Sequence, residues 1–415
     1  MYQPRLTRNM SFLGVIISLP YLHSLWHPQS KASANTQSKP FHVCIKISYA
    51  KSKATFYLPM KKLNFYSGPA ILPPSVLEKA AQAVLDFNGS GLSILEISHR
   101  SSAFQEVIDG ARALVRELYE LPTDYEVIFL TGGASTQFPL IPYNLLPQGG
   151  TAAYLETGQW AENAIKEARL FGNVAVVASS RDANFSYIPK QYTVPSNATY
   201  LHVTTNNTIY GTQLHSIPQS HCPIVADMSS DIFSRPFDAT QCGVIYAGAQ
   251  KNMGAAGTTV VIVRKDLLGK TNRAIPTMFD YQTHIAKGSM FNTPPVFAIY
   301  VSYLTLQWIK QRGLAKIGSD NQQKADTLYT EIDRNSLFTG TVTKPEDRSQ
   351  MNITFRCNNT NLEQSFLDLA TQNNCIGIKG YRTVGGFRAS IYNAMDLAGV
   401  QTLVQLMQHF EEQYA

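Results

Sequence analysis

Three short stretches of this chain combine residue types whose spacing could do chemistry. In GVIYAGAQKNMG, Gly243 to Gly254, an apolar run reads as a strand and ends among small residues, with Lys251 between Gln250 and Asn252. A lysine ordinarily lies along the surface with its charge in water, so an ammonium set in a nest of Ala and Gly needs a reason. VADMSSD puts Asp227 at the end of another apolar run, 24 residues before Lys251. TGGASTQF, Thr131 to Phe138, follows a strand pattern and opens a helical one. Small residues in such a turn let backbone N–H groups and a helix N-terminus hold a phosphate.

Each feature alone has an ordinary reading. Many strand-to-helix turns contain Gly-Gly and bind nothing, an Asp after a strand is commonly a turn or N-cap residue, and a lone lysine is commonly a surface residue. In open α/β sheets, however, ligands sit at the carboxyl ends of strands, where all three would lie. A phosphate cradle, a strand-end carboxylate and a strand-end amine are the parts of a pyridoxal phosphate site. There the lysine forms a Schiff base, the aspartate keeps the pyridine nitrogen protonated, and the loop holds the phosphate.

The elements that must position these residues are legible from Leu63 onward. Helical periodicity starts at Ser75, after paired prolines. SSAFQEVIDGARALVRELYEL carries apolar residues at Phe104, Ile108, Ala111, Leu114, Val115 and Leu118, a helix with one buried face. The segments EVIFLT, TAAYLE, VAVVAS, TYLHVTT, PIVADMS, VIYAGA and TTVVIVR read as strands, separated by lengths suited to crossover connections. Strands this apolar, alternating with helices, predict an α/β fold with a mostly parallel sheet covered on both faces. After about Gly313 the pattern changes to mixed α+β, a second and smaller domain.

Composition narrows the function classes. The chain has 415 residues, 44% hydrophobic and 15% charged, and is globular rather than disordered. No apolar run is long enough to span a bilayer, so no membrane partner is expected. The net charge of +6 suggests a polyanion until it is located: residues 1–59 hold Arg5, Arg8, Lys31, Lys39, Lys46, Lys51 and Lys53 and no Asp or Glu. The remainder is close to neutral, which removes the main support for a nucleic-acid function. Five scattered cysteines (Cys44, Cys222, Cys242, Cys357 and Cys375) show no CxxC spacing. That argues against a disulfide framework or a metal site and for a reducing, cytoplasmic setting. The leader, residues 1–59, is read as disordered or lying upstream of a true start at Met60; organelle targeting is the second reading, on its Ser-rich, basic, acid-free composition.

From Leu63 to the C-terminus the chain resembles the phosphoserine aminotransferase family, class-V enzymes of the fold-type I pyridoxal phosphate group. The matching stretches are NFYSGPAILP, EISHRSSAF, FLTGGASTQF, GQWAENAIKEA, VADMSSDIFSRP, GVIYAGAQKNMGAAG, GSMFNTPP and VGGFRASIYNAM. The resemblance implies an N-terminal segment at 60–75 packing with the small domain, a large cofactor-binding domain at 76–317 and a small C-terminal domain at 318–415. It implies that Lys251 carries pyridoxal 5'-phosphate, Asp227 pairs with its ring nitrogen, Trp160 stacks on the ring, and Ala134, Ser135, Thr208 and Gln250 also hold it. Asn292 and Thr293 would reach the phosphate from the neighbouring subunit of a homodimer. His99, Arg100, Arg382 and Arg388 would bind the anionic groups of the substrate, a task suited to the fixed donor fork of arginine. No metal is expected.

The implied reaction interconverts O-phosphoserine and 2-oxoglutarate with 3-phosphohydroxypyruvate and glutamate, in serine biosynthesis, with 4-phosphohydroxythreonine in vitamin B6 synthesis as a further substrate. Ser135, Tyr210 and Tyr381 depart from residues found in some members, which bears on phosphate recognition and not on the cofactor. The alternatives are another class-V enzyme, of alanine–glyoxylate aminotransferase or cysteine desulfurase type, and a non-catalytic protein that uses the basic leader to bind nucleic acid.

Overall fold

The computed structural model of the protein describes residues 62–415; the leader and everything expected of it lie outside the described residues. The chain enters through a two-residue strand, β1 (Leu63–Asn64), and two helices, α1 (Pro74–Leu85) and α2 (Ser102–Leu118). Pro73 and Pro74 open α1, where a missing N–H costs nothing. The Ser101 hydroxyl caps α2 by accepting from the Phe104 N–H.

A run of strands and helices follows: β2 (Tyr125–Thr131), α3 (Gln137–Leu145), β3 (Thr151–Glu156), α4 (Gln159–Ala168), β4 (Asn173–Ser179), β5 (Ala198–Thr204), β6 (Ile224–Asp227), β7 (Val244–Gly248) and β8 (Thr258–Arg264). Beyond them lie α5 (Tyr281–Ala286), α6 (Val296–Arg312) and α7 (Leu314–Arg334). The last stretch holds β9 (Phe338–Gly340), β10 (Asn352–Cys357), α8 (Glu363–Gln372), β11 (Cys375–Ile376), β12 (Phe387–Ser390) and α9 (Leu397–Tyr414).

Seven strands form one sheet in the order β2-β8-β7-β6-β5-β3-β4. All neighbours are parallel except β8, which runs antiparallel to both β7 and β2. The reason is the connection: Ala249–Gly257 is too short for a crossover, which needs a dozen or more residues. The expectation of crossover lengths throughout therefore fails at this one link, and Lys251 sits in it.

The sheet is buried on both faces because successive side chains alternate. Val127 and Phe129 join the core under α1, α2 and α6, while Ile128 and Leu130 join the core under α3, α4 and α5. A separate core gathers Phe65 with Leu328, Ile332, Phe338, Ile353, Phe355, Phe366, Phe387, Val400 and Phe410 around the three-stranded sheet β12-β10-β9. The long helix α7 belongs to both: Ile317 packs in the first core, Ala325 and later residues in the second. β1 pairs with β11, so the entering chain lies against the C-terminal part.

Candidate active site

Adjacent parallel strands bring the chemistry together. Asp227 is the last residue of β6, and its cross-strand partners are Thr204 on β5 and Tyr246 on β7. Lys251 follows the end of β7 by three residues. Both face one cavity of about 130 Å³, lined also by Gly133, Ala134, Ser135, Trp160, Thr208 and Gln250. Larger hollows occur elsewhere, but they bring no buried amine against a buried carboxylate.

Asp227 is buried, and its Oδ1 accepts from the Ser229 N–H at 3.0 Å and the Ser229 hydroxyl at 2.5 Å. It is thus a turn residue as well as a candidate ligand; the two readings coexist. Burial pushes its pKa above the usual carboxylate range, against the pull of the Ser229 bonds and the Lys251 charge. A cationic ring nitrogen beside it would draw it back down.

The Lys251 amine is enclosed. It donates to Thr208 Oγ1 at 2.6 Å, and burial lowers its pKa to about 8, with Arg388 pushing the same way and Asp227 opposing. The chain's N-terminal segment closes over the same lysine. Gly68 has φ of +140°, and a Cβ there would stand 3.5 Å from Lys251 Cγ, within ordinary contact distance.

Arg388, on β12, is buried and forms no ion pair among the described residues. Its Nη1 donates to the Thr208 carbonyl at 3.1 Å and its Nη2 to Ser67 Oγ at 2.8 Å, while Nε has no partner. Thr208 therefore touches both cationic side chains. Burial lowers the Arg388 pKa, though not far enough to discharge a guanidinium. An arginine held so, with a free donor and no carboxylate, is arranged for an anionic ligand.

The fit to pyridoxal phosphate rests on these groups and on two orphans. Trp160 Nε1 and Thr204 Oγ1 are buried in the cavity wall without a hydrogen-bond partner. No side chain caps the Ala134–Thr136 turn or α3, which leaves that N-terminus open to a phosphate. Tryptophan, amine, carboxylate and open N-terminus suit the ring, aldehyde, ring nitrogen and phosphate of the cofactor.

Other expected residues fall outside the lining of this cavity, Arg388 among them, although its bond to the Thr208 carbonyl sets it beside the wall. His99 is half-buried with Nε2 unpartnered, while Arg100 and Arg382 are exposed. Asn292 and Thr293 do not line it; Asn292 Nδ2 bonds the Thr293 carbonyl. Sequence reasoning missed Ser229, Thr204, Tyr246, Asn206 and Ser67. The Asp-x-Ser spacing of 227 and 229 signals a turn bond and could have revealed the first.

Comparison with known proteins decides the family. The model for aminotransferase class V matches residues 62–403. The chain belongs to the class-V aminotransferases. A phosphoserine aminotransferase of Phocaeicola vulgatus is 58% identical over 356 residues, covering 85% of this class-V aminotransferase and 99% of the relative. The solved structure of a phosphoserine aminotransferase from Bacillus circulans subsp. alkalophilus has a TM-score of 0.83 at 45% identity, covering 86% of this chain and all of that one. A pyridoxal-phosphate-bound phosphoserine aminotransferase from Trichomonas vaginalis superposes with a TM-score of 0.81 at 36% identity, over 84% of this chain and all of that one. These relatives do not favour the alanine–glyoxylate and desulfurase alternatives. Among the described residues, no helix is long and apolar enough to cross a membrane.

Proposed function

We propose that this class-V aminotransferase interconverts O-phosphoserine and 2-oxoglutarate with 3-phosphohydroxypyruvate and glutamate. One observation carries the reading: Lys251, three residues past the end of β7, and the buried Asp227, at the end of the adjacent β6, line one cavity. Pyridoxal phosphate bound there supplies an electron sink for the charge left when an amino acid loses its Cα proton.

The chain's own groups do the rest. With a pKa near 8, the Lys251 amine is poised to take a proton from the substrate Cα and return it. Thr208 Oγ1 fixes the direction of that amine. The two bonds from Ser229 would hold the Asp227 carboxyl in place for a ring nitrogen, and they oppose the rise in pKa that burial causes. Trp160 would cover the ring, and Ala134, Ser135 and the open N-terminus beyond them would take the phosphate, with Gln250 beside the lysine. Arg388, with a free Nε donor and no ion pair among the described residues, grips the carboxylate shared by every substrate.

His99, Arg100 and Arg382 are assigned to the second anionic group, phosphate or side-chain carboxylate. Support comes from the two exposed arginines forming no ion pair among the described residues. We assign a homodimer, in which Asn292 and Thr293 complete the neighbour's phosphate site. Apolar side chains are exposed at Leu77, Leu85, Leu92, Leu95, Phe279 and Phe291, surface that a partner subunit would cover. A cytoplasmic location fits the free thiols of Cys222, Cys242, Cys357 and Cys375. 4-Phosphohydroxythreonine carries the same carboxylate and phosphate and belongs in the substrate set. The test is a panel of phosphoserine, 4-phosphohydroxythreonine, serine and alanine as amino donors. Turnover confined to the phosphorylated donors supports the assignment, and equal turnover of serine overturns it.

A further inference from the structure

A second buried lysine lies away from the cofactor cavity. Lys324, on α7, is 2% exposed, and its Nζ donates to the carbonyls of Ile391, Tyr392 and Met395, each at 2.9 Å. An ammonium has three donors, and here each has its own acceptor. None of the three is a carboxylate. The charged groups on the elements packed around it are Asp320 on its own helix, Arg312 at the end of α6, and Asp396 at the start of α9. Asp320 is already taken by Arg312 and Lys316.

The caged segment, Ile391–Met395, reaches the active site in two directions. Tyr392 Oη donates to the Ser67 carbonyl at 2.8 Å, and Ser67 Oγ is the group that accepts from Arg388 Nη2. The Asn393 N–H donates to Asn252 Oδ1 at 3.0 Å, and Asn252 is the residue after Lys251. Asn393 is itself pinned by the Phe233 carbonyl and by Asn321, one turn before Lys324 on α7. A single turn thus touches the partner of the carboxylate-binding arginine and the neighbour of the catalytic amine.

We infer that Lys324 is a positioning residue for this site, acting through the Ile391–Met395 turn on Arg388 and on the Lys251 loop. The inference rests on the transaminase reading of the same cavity and adds to it the group that sets the arginine in place. A stabilising role alone would lower the melting temperature and leave ligand affinity untouched. A positioning role changes the affinity for carboxylates more than the rate of proton transfer. It also carries a pH signature: burial lowers the Lys324 pKa to about 7, and the neutral amine has only two hydrogens for three carbonyls. The cage is complete on the acid side of neutrality and loses one bond on the alkaline side.

The experiment uses the holoenzyme and glutarate, a five-carbon dicarboxylate with no amine or keto group. Its dissociation constant is measured by calorimetry at pH 6, 7 and 8, beside KM and kcat for glutamate and the melting temperature. For Lys324→Met the expected result is glutarate affinity weaker by about tenfold at pH 6, the scale of one weakened hydrogen bond to a charged group. The gap to wild type narrows at pH 8, and KM rises more than kcat falls. Tyr392→Phe, which keeps the lysine cage and removes one outward bond, weakens glutarate at every pH. Wild-type affinity in a folded Lys324→Met, even with a lowered melting temperature, overturns the inference. If Lys324→Met does not fold, unchanged glutarate binding in Tyr392→Phe overturns it instead. Wild-type turnover of phosphoserine is measured in parallel, so failure of the transaminase reading shows separately.

Discussion

Lys251 is costly to the fold before any cofactor arrives, and the cost can be measured. Its pKa is about 8 in the folded chain against 10.5 in the unfolded one. The unfolded state therefore holds the proton more tightly, and folding loses stability wherever the amine is charged when unfolded. The full penalty applies below pH 8 and fades as pH rises toward 10.5. A gap of 2.5 pH units, at about 1.4 kcal/mol each, makes it about 3 kcal/mol at pH 7 and under about 1 kcal/mol at pH 10. Lys251→Met removes the charge and keeps most of the volume, but gives up the bond to Thr208, worth about 1 kcal/mol. The cofactor-free variant should be about 2 kcal/mol more stable than cofactor-free wild type at pH 7, with no gain at pH 10. Urea denaturation of both proteins at the two pH values reads this directly. A variant no more stable than wild type at pH 7, or a gain independent of pH, would refute the reasoning.

Further outcomes follow from the same geometry. Asp227→Asn removes the charge opposite the ring nitrogen and should lower kcat by about a hundredfold or more in steady-state assays while the protein stays folded. Arg388→Gln loses the charged fork and should raise KM for glutamate and 2-oxoglutarate by about ten- to hundredfold, with a smaller change in kcat. In Ser229→Ala the hydroxyl bond to Asp227 is gone, so the carboxyl pKa rises further; the acid limb of the kcat profile should move to higher pH. Serine at this position in a profile identical to the variant's would mean that the bond does not tune the carboxylate.

Much of this was legible in the sequence because the decisive residues sit where topology forces them. Asp227 ends β6 and Lys251 lies three residues past the end of its neighbour β7, and strand ends of an α/β sheet converge on one edge. The helix over Ser102–Leu118 was legible from its apolar period: Phe104, Ile108, Ala111, Leu114 and Val115 are buried as expected, while Val107 joins them and Leu118, at the last turn, is only half-buried. The antiparallel β8 was less visible: its apolar, two-sided burial matches that of its parallel neighbours, and only the short link Ala249–Gly257 betrays its direction. The supporting polar groups left no local signal. Ser67 meets Arg388 across 321 residues, and Thr208 meets Lys251 across 43. Lys324 looks like any helix-surface lysine until α7 is packed against the Ile391–Met395 turn. The roles of Arg100, Arg382, Asn292 and Thr293 come from resemblance: they lie on loops away from the Lys251 cavity, and no local pattern in the sequence marks them.

The central claim is that the amine of Lys251 is the attachment point of pyridoxal phosphate. Borohydride treatment of the purified holoenzyme makes that link permanent, and peptide mass mapping then locates it. A phosphopyridoxyl group is expected on the peptide carrying GAQKNMG, at Lys251, and none in the Lys251→Met variant. A label on another lysine, or no label on a protein that turns over phosphoserine, would contradict that claim.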